Sequence, residues 1–171
     1  YRGGVKSGLW KYWYSEGELS SKGIFRNNLK TGVWLEFFDN GNKKIQTIYR
    51  NGLKNGKEIN WNSDGIKISE YNYKSGNRNG SFKTWYENGR KKSSGSFANG
   101  FEDGKVVEWY ENGQVYREQN FKNGKKDGLV FSWHESGSKK EQEYYTIGLA
   151  NGVHQQWYEN GQKKIEGHYI N

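Results

Sequence analysis

Rings and glycines punctuate this chain at a fixed stride, with polar residues between them. Trp13, Phe37, Trp61, Trp85, Trp109, Trp133 and Trp157 stand 24 residues apart. Phe25, Tyr49, Tyr73, Phe97, Phe121, Tyr145 and Tyr169 keep the same step, with Tyr1 one step earlier. Gly8, Gly32, Gly56, Gly80, Gly104, Gly128 and Gly152 open the units, and Gly17, Gly41, Gly65, Gly89, Gly113, Gly137 and Gly161 divide them. A period of about 20–50 residues means a repeat array. One array is therefore expected over residues 1–171: a partial unit at 1–7, then units from 8, 32, 56, 80, 104, 128 and 152 without a linker.

Each unit reads as a β-hairpin. Runs such as Leu9 to Tyr14 are short and rich in aromatics, which favours strands over helices. The fold class expected is all-β: an elongated, open, twisted, single-layer antiparallel sheet of consecutive hairpins, about 14 strands at two per unit. Zero Pro suits strands whose amides are nearly all used in ladders. The short turn holds Glu16, Asn40, Asp64, Asn88, Asn112, Ser136 or Asn160 before its glycine. Glu and Ser tolerate φ > 0 poorly, so a three-residue loop with glycine in the left-handed region is expected rather than a two-residue turn. A longer turn, such as Ala98 to Gly104, is expected between units.

That loop sets a lysine opposite each ladder ring: Phe37/Lys43, Trp61/Lys67, Trp85/Lys91, Trp133/Lys139 and Trp157/Lys163, with Leu19 and Val115 opposite Trp13 and Trp109. Unbroken alternation then puts the Trp85 and Phe97 rows on one side. These lysines are first a lid on the rings and second a candidate anion-binding stripe. The other side carries Trp10, Tyr12, Tyr14, Trp34 and Phe38, then Tyr86 and Tyr110 further on, and these are the candidate contact residues. Lys44, Lys92, Lys140 and Lys164, the second members of Lys-Lys pairs, join them as candidate binding residues.

Composition narrows the class. Hydrophobic residues make up 32% and aromatics 17%, with eight Trp, which suits a thin sheet under flat rings and not a layered α/β enzyme. The net charge of +8 favours acidic partners, or simply keeps two wet faces soluble. Without Cys there is no disulfide, thiolate nucleophile or thiolate metal site. No apolar run approaches the ~18 residues of a membrane span, so a soluble chain without a transmembrane segment is expected, cytoplasmic or secreted/cell-surface, with the compartment left open. A start in mid-repeat and the lack of Met suggest a fragment, a processed form or part of something longer.

The run Tyr73-Lys74-Ser75-Gly76-Asn77-Arg78-Asn79-Gly80, continuing to Trp85-Tyr86-Glu87-Asn88-Gly89, resembles a MORN repeat. More closely it is similar to the bacterial MORN-variant class, where a WYENGQKK hairpin alternates with YxNGxxxG. Trp157 to Lys164 is the cleanest copy, whereas Asn62-Ser63-Asp64-Gly65 and His134-Glu135-Ser136-Gly137 depart from it. The resemblance implies consecutive hairpins and function by binding: protein scaffolding, membrane-proximal roles, antitoxin or immunity partners, or surface and invasion-linked proteins.

Catalysis needs convergent groups in a sheltered pocket, and a one-layer array offers little shelter. His134, His154 and His168 occupy three different repeat positions, so neither a metal site nor a general base is expected, and no cofactor. The chain is read as a non-enzyme and a protein-interaction scaffold; the resemblance implies a bacterial type that neutralises a toxin or meets a host surface. Anionic lipid is the alternative through the Lys-Lys pairs, although adjacent lysines point to opposite faces. Carbohydrate along an aromatic ladder is a further alternative. Nucleic acid is disfavoured, because a flat sheet has no groove.

Overall fold

The computed structural model describes residues 4–170. Tyr1, expected to begin the second ring row, and the first part of the partial unit lie outside the described residues. Among the described residues there are seventeen β-strands, and every described pairing is antiparallel. Contacts group the chain into two compact bodies, residues 4–80 with 87–89 and residues 81–86 with 90–170. In the first, β1 (Gly8–Trp13), β2 (Leu19–Arg26), β3 (Leu29–Phe37), β4 (Lys43–Arg50), β5 (Leu53–Trp61) and β6 (Lys67–Lys74) pair in sequence order. Strand β7 (Asn77–Trp85) has residues in both bodies.

The second body repeats the pattern with finer breaks. It holds β8 (Lys91–Ala98), β9 (Phe101–Glu102), β10 (Gly104–Trp109), β11 (Val115–Lys122), β12 (Lys125–Lys126) and β13 (Gly128–Trp133). Then come β14 (Lys139–Thr146), β15 (Leu149–Ala150), β16 (Gly152–Trp157) and β17 (Lys163–Tyr169). Three strands of the expected kind are thus split, at Asp103, Asp127 and Asn151. At the first two, the carboxylate accepts from the amide of the next unit's turn, Asn123 N at 3.3 Å and Ile147 N at 3.0 Å. Thr31 and Asn55, at the same repeat position, stay inside the continuous strands β3 and β5.

The short turn forms as the residue pattern requires. Tyr110 N donates to Gln114 O at 2.9 Å, Gly113 N donates to Tyr110 O at 3.0 Å, and Gly113 has φ +95°. That is a three-residue loop closed by a left-handed glycine. The connection between units is tighter than expected. Asn51 (φ 50°) and Gly52 (φ 80°) make a two-residue turn with both centres left-handed, and the next strand starts at once. Asn and Gly bear that conformation at least cost. The turns at Gly52, Gly76, Gly124 and Gly148 are tied to the previous unit: Gly52 N donates to Lys30 O at 2.9 Å and Gly148 N to Lys126 O at 2.7 Å.

The register next to the short turn is the expected one, with Trp61 opposite Lys67 and Trp133 opposite Lys139. One step on, it slips. Asn60 faces Ser69 and Ser132 faces Glu141, so Ile68 and Lys140 are extra residues in bulges. A one-residue slip transfers the rest of the strand to the other face. The row of Trp13, Phe37, Trp61, Trp85, Trp109, Trp133 and Trp157 therefore does not share a side with Phe25, Tyr49, Tyr73, Phe97, Phe121, Tyr145 and Tyr169. The expectation of one shared side is corrected by this bulge.

The second row lies with the core. Phe25 packs edge-on against Trp10 (5.8 Å) and Trp34 (4.9 Å), and Phe82 packs on Phe97 (5.0 Å) in the second body. Trp34, Phe25, Phe82, Val106 and Val130 are the buried apolar residues of this packed face. Space is made by a small partner: the Trp34 ring occupies the place where a Cβ of Gly23 would stand. The face bearing the Trp13-to-Trp157 row is the open face, where Leu9 is 63% and Trp13 58% exposed.

Candidate functional site

The residue after each ladder Trp lies on the packed face at the short-turn edge, where it reaches the next hairpin. Tyr14 Oη donates to Phe37 O at 2.6 Å, Tyr86 Oη to Trp109 O at 2.6 Å and Tyr110 Oη to Trp133 O at 2.9 Å. His134 takes the same role, with Nε2 3.1 Å from Trp157 O. A carbonyl only accepts, so this Nε2 carries the proton. Burial, with nearby glutamates adding, holds the Tyr86 phenol above its ordinary range and keeps it a donor; burial does the same for Tyr110. Phe38 has no hydroxyl, and Asn62 uses its carbonyl to accept from Ile66 N at 2.9 Å inside its own turn. These candidate contact residues are thus first a stitch between hairpins.

The candidate lysines cover the same edge. Lys44 Nζ stands 5.4 Å from the Phe38 ring centre, Lys92 Nζ 5.3 Å from Tyr86 and Lys164 Nζ 5.6 Å from Tyr158. Lys140 lines a hollow of about 150 Å³ with His134, Glu141, Gln156 and Tyr158. The structure brings Tyr14, Phe38 and Lys44 together in one shallow cleft. Trp10 and Tyr12 are half-buried under Lys6, whose Nζ is 4.7 Å from the Trp10 ring. Trp34 is only 4% exposed, and its Nε1 donates to Ile24 O at 3.1 Å. Its ring has almost no surface to offer a partner.

On the open face, the lysine lids fall on the next hairpin's ring rather than their own cross-strand neighbour. Lys43 lies 5.9 Å from Trp61, Lys91 4.8 Å from Trp109 and Lys139 4.7 Å from Trp157. Beyond these lids, cross-strand apolar neighbours stay exposed. Leu9 faces Ile24, with Val33 nearby on β3, in the first body. Leu129 faces Tyr144, with Val153 beyond, in the second. Sequence reading passed over these positions because single aliphatics carry no repeat signal.

The packed face also holds polar groups that the residue pattern did not single out. In the first body Glu58, 8% exposed, accepts from Thr47 Oγ1 (3.0 Å), Tyr73 Oη (3.2 Å) and Lys54 Nζ. In the second, Glu141 accepts from Gln156 Nε2 at 2.6 Å and pairs with His154 Nε2 at 3.1 Å. Burial would raise the Glu141 carboxyl, but hydrogen bonds from Gln156 and His154 and the charge of Arg117 outweigh it and hold it below the usual range. Glu143 comes into the same neighbourhood, which the scattered repeat positions of the histidines gave no sign of. Among the described residues, no helix is long and apolar enough to cross a membrane.

No curated protein matches the chain. A family model, the MORN repeat variant, matches six times: residues 6–27, 30–51, 78–99, 102–123, 126–146 and 150–171. The unmatched stretch contains Asn62-Ser63-Asp64-Gly65, where the tyrosine stitch is missing. With matches over most of its length, in register with the hairpins and their two turn types, this chain belongs to the MORN repeat variant family.

Proposed function

We propose that the chain is a non-catalytic binding module whose open face takes a protein partner. The observation that carries this reading is the pair of exposed apolar rows there. Leu9, Trp13, Ile24 and Val33 are 63, 58, 45 and 49% exposed in the first body; Leu129, Tyr144 and Val153 are 40, 43 and 38% exposed in the second. Apolar side chains grouped across neighbouring strands mark interaction surfaces. The polar groups that could do chemistry at the short-turn edge are used in structure, as the Tyr86, Tyr110 and His134 bonds illustrate. The family supports a repeat-built binding role. That the partner is a toxin or a host-surface protein rests on the bacterial resemblance.

Lipid adhesion is the weaker reading. The Lys-Lys pairs divide between faces, with Lys43 over Trp61 on the open face and Lys44 over Phe38 on the packed one. The test is affinity capture from the source organism with wild type, with Leu9→Lys/Val33→Lys and Leu129→Lys/Val153→Lys variants, and with Lys44→Glu/Lys92→Glu. Capture of one partner that the open-face variants lose and the lysine variants keep is expected. Equal capture by all, or binding to anionic vesicles that only the lysine variant loses, would overturn the reading.

A further inference from the structure

We infer that Glu141, Glu143 and His154 form a binding site for one divalent transition-metal ion of the zinc class on the packed face of the second body. Their ligand atoms, one from each residue, all lie within 4.8 Å of one another. His154 Nε2 and Glu141 Oε1 are 3.1 Å apart, close to the separation of two ligands on a tetrahedral ion. The two side chains are 14% and 20% exposed, so the groups are largely withdrawn from water.

Position in the repeat makes the cluster exceptional. His154 stands where the other units place Trp10, Trp34, Glu58, Phe82, Val106 and Val130. Four of these are buried core side chains, and Trp10 is half-buried against Phe25. Glu143 lies opposite Val130, where other units have Gly23, Thr47, Tyr71, Gly95 or Gln119. Two rows that elsewhere hold mostly apolar, glycine or neutral polar side chains, with Glu58 the one other acid, thus carry an imidazole and a carboxylate here, with Glu141 beside them. Glu58, the other acid in that row, already accepts from Thr47, Lys54 and Tyr73, the ammonium of Lys54 among them. Glu143 accepts from Tyr145 Oη at 3.1 Å, which leaves carboxylate lone pairs over.

A separate observation points the same way. Ser132 is 2% exposed, and its Oγ has no hydrogen-bond partner. It lies directly opposite Glu141 in the ladder, on the same face. A buried hydroxyl without a partner is costly unless something completes it. A metal-bound water, or the ion itself, would do so. An imidazole with two carboxylates selects a borderline cation over calcium or magnesium, which take oxygen ligands alone. Arg117, opposite Ser132 on β11, opposes cation binding and sets the affinity down.

The experiment is calorimetric titration of the full chain with zinc chloride near neutral pH. One saturable equivalent is expected. Glu143→Gln and His154→Gln should each weaken it at least about tenfold, since loss of an outer-shell partner alone costs about that much. His134→Gln/His168→Gln should leave it unchanged, and Arg117→Gln should tighten it. Circular dichroism on each variant checks folding; if His154→Gln does not fold, Glu143→Gln decides. No saturable binding at millimolar zinc, binding unaffected by Glu143→Gln, or displacement by equimolar calcium would overturn the site. A binding module without zinc would leave the open-face capture result intact.

Discussion

One repeat position offers a graded test of which face is packed. Gly23, Gly95 and Gly167 are equivalent, and none has positive φ, so alanine adds bulk without backbone strain. At Gly23 a Cβ would land inside the indole of Trp34. To make room, Trp34 must leave its edge contact with Phe25 at 4.9 Å and its bond to Ile24 O at 3.1 Å. Overpacking costs about 1–3 kcal/mol, and the lost hydrogen bond adds about 1 kcal/mol. Gly23→Ala should therefore cost about 2–4 kcal/mol, a fall in Tm on the order of 5–15 °C for a chain of this size. At Gly95 the new methyl would meet Phe82 and Val106 at 2.8 Å, and the cost should be smaller, about 1–2 kcal/mol. At Gly167 nothing lies within 4 Å, and replacing a strand glycine gains about 0.5 kcal/mol. Urea titrations followed by tryptophan fluorescence read the order directly. Hydrogen exchange on the same variants shows whether a repeat array opens locally rather than all at once. Equal losses at all three sites would refute the assignment of faces.

Other consequences follow from the same geometry. Tyr110→Phe removes the bond to Trp133 O and should cost about 1 kcal/mol. Phe38→Tyr should supply the missing stitch toward Trp61 O and raise the urea midpoint; no change in either variant would mean the edge bonds are idle. Glu70 is held below its ordinary value of 4.5 first by its hydrogen bond from Lys57 at 2.7 Å, then by Lys67. A depressed carboxyl adds stability above its unfolded pKa and loses it as pH falls through the folded one. Glu70→Gln should therefore cost up to about 1 kcal/mol at neutral pH and almost nothing near pH about 2, by paired urea titrations. Trp34→Ala should cost about 3–5 kcal/mol, and Trp13→Ala far less, since Trp13 is 58% exposed.

Much of the fold was legible because glycine and ring positions are spaced without a single insertion. The three-residue turn could be argued from Glu16 and Ser136, which exclude a two-residue type I′ turn, and it forms as expected. The turn between units carried its own signal, Asn51-Gly52 and Asn99-Gly100. It was hidden because Gly56 and Gly104 looked like turn residues and sit in or at the start of strands. The bulges at Ile68 and Lys140 left no trace in composition, since an extra residue needs no special side chain. That one slip exchanged the roles of the faces: Trp34, expected at a contact surface, is core, and Trp13, expected in a structural row, is exposed. The core row itself was unreadable as a repeat, because Trp34, Glu58, Phe82, Val106 and His154 share a place and not a chemistry. The same heterogeneity concealed the meeting of Glu141, Glu143 and His154.

A slip beside the short turns separates the two ring rows, so that Trp34 is buried on one side of the strands and Trp13 stays exposed on the other. Indole proton exchange and solvent paramagnetic relaxation, measured by NMR on the eight tryptophans, test it most directly. The Trp34 indole should exchange slowly and resist the paramagnetic probe, and the Trp13 indole should exchange fast and broaden strongly. A protected Trp13 with an accessible Trp34, or equal accessibility for both, would contradict the account.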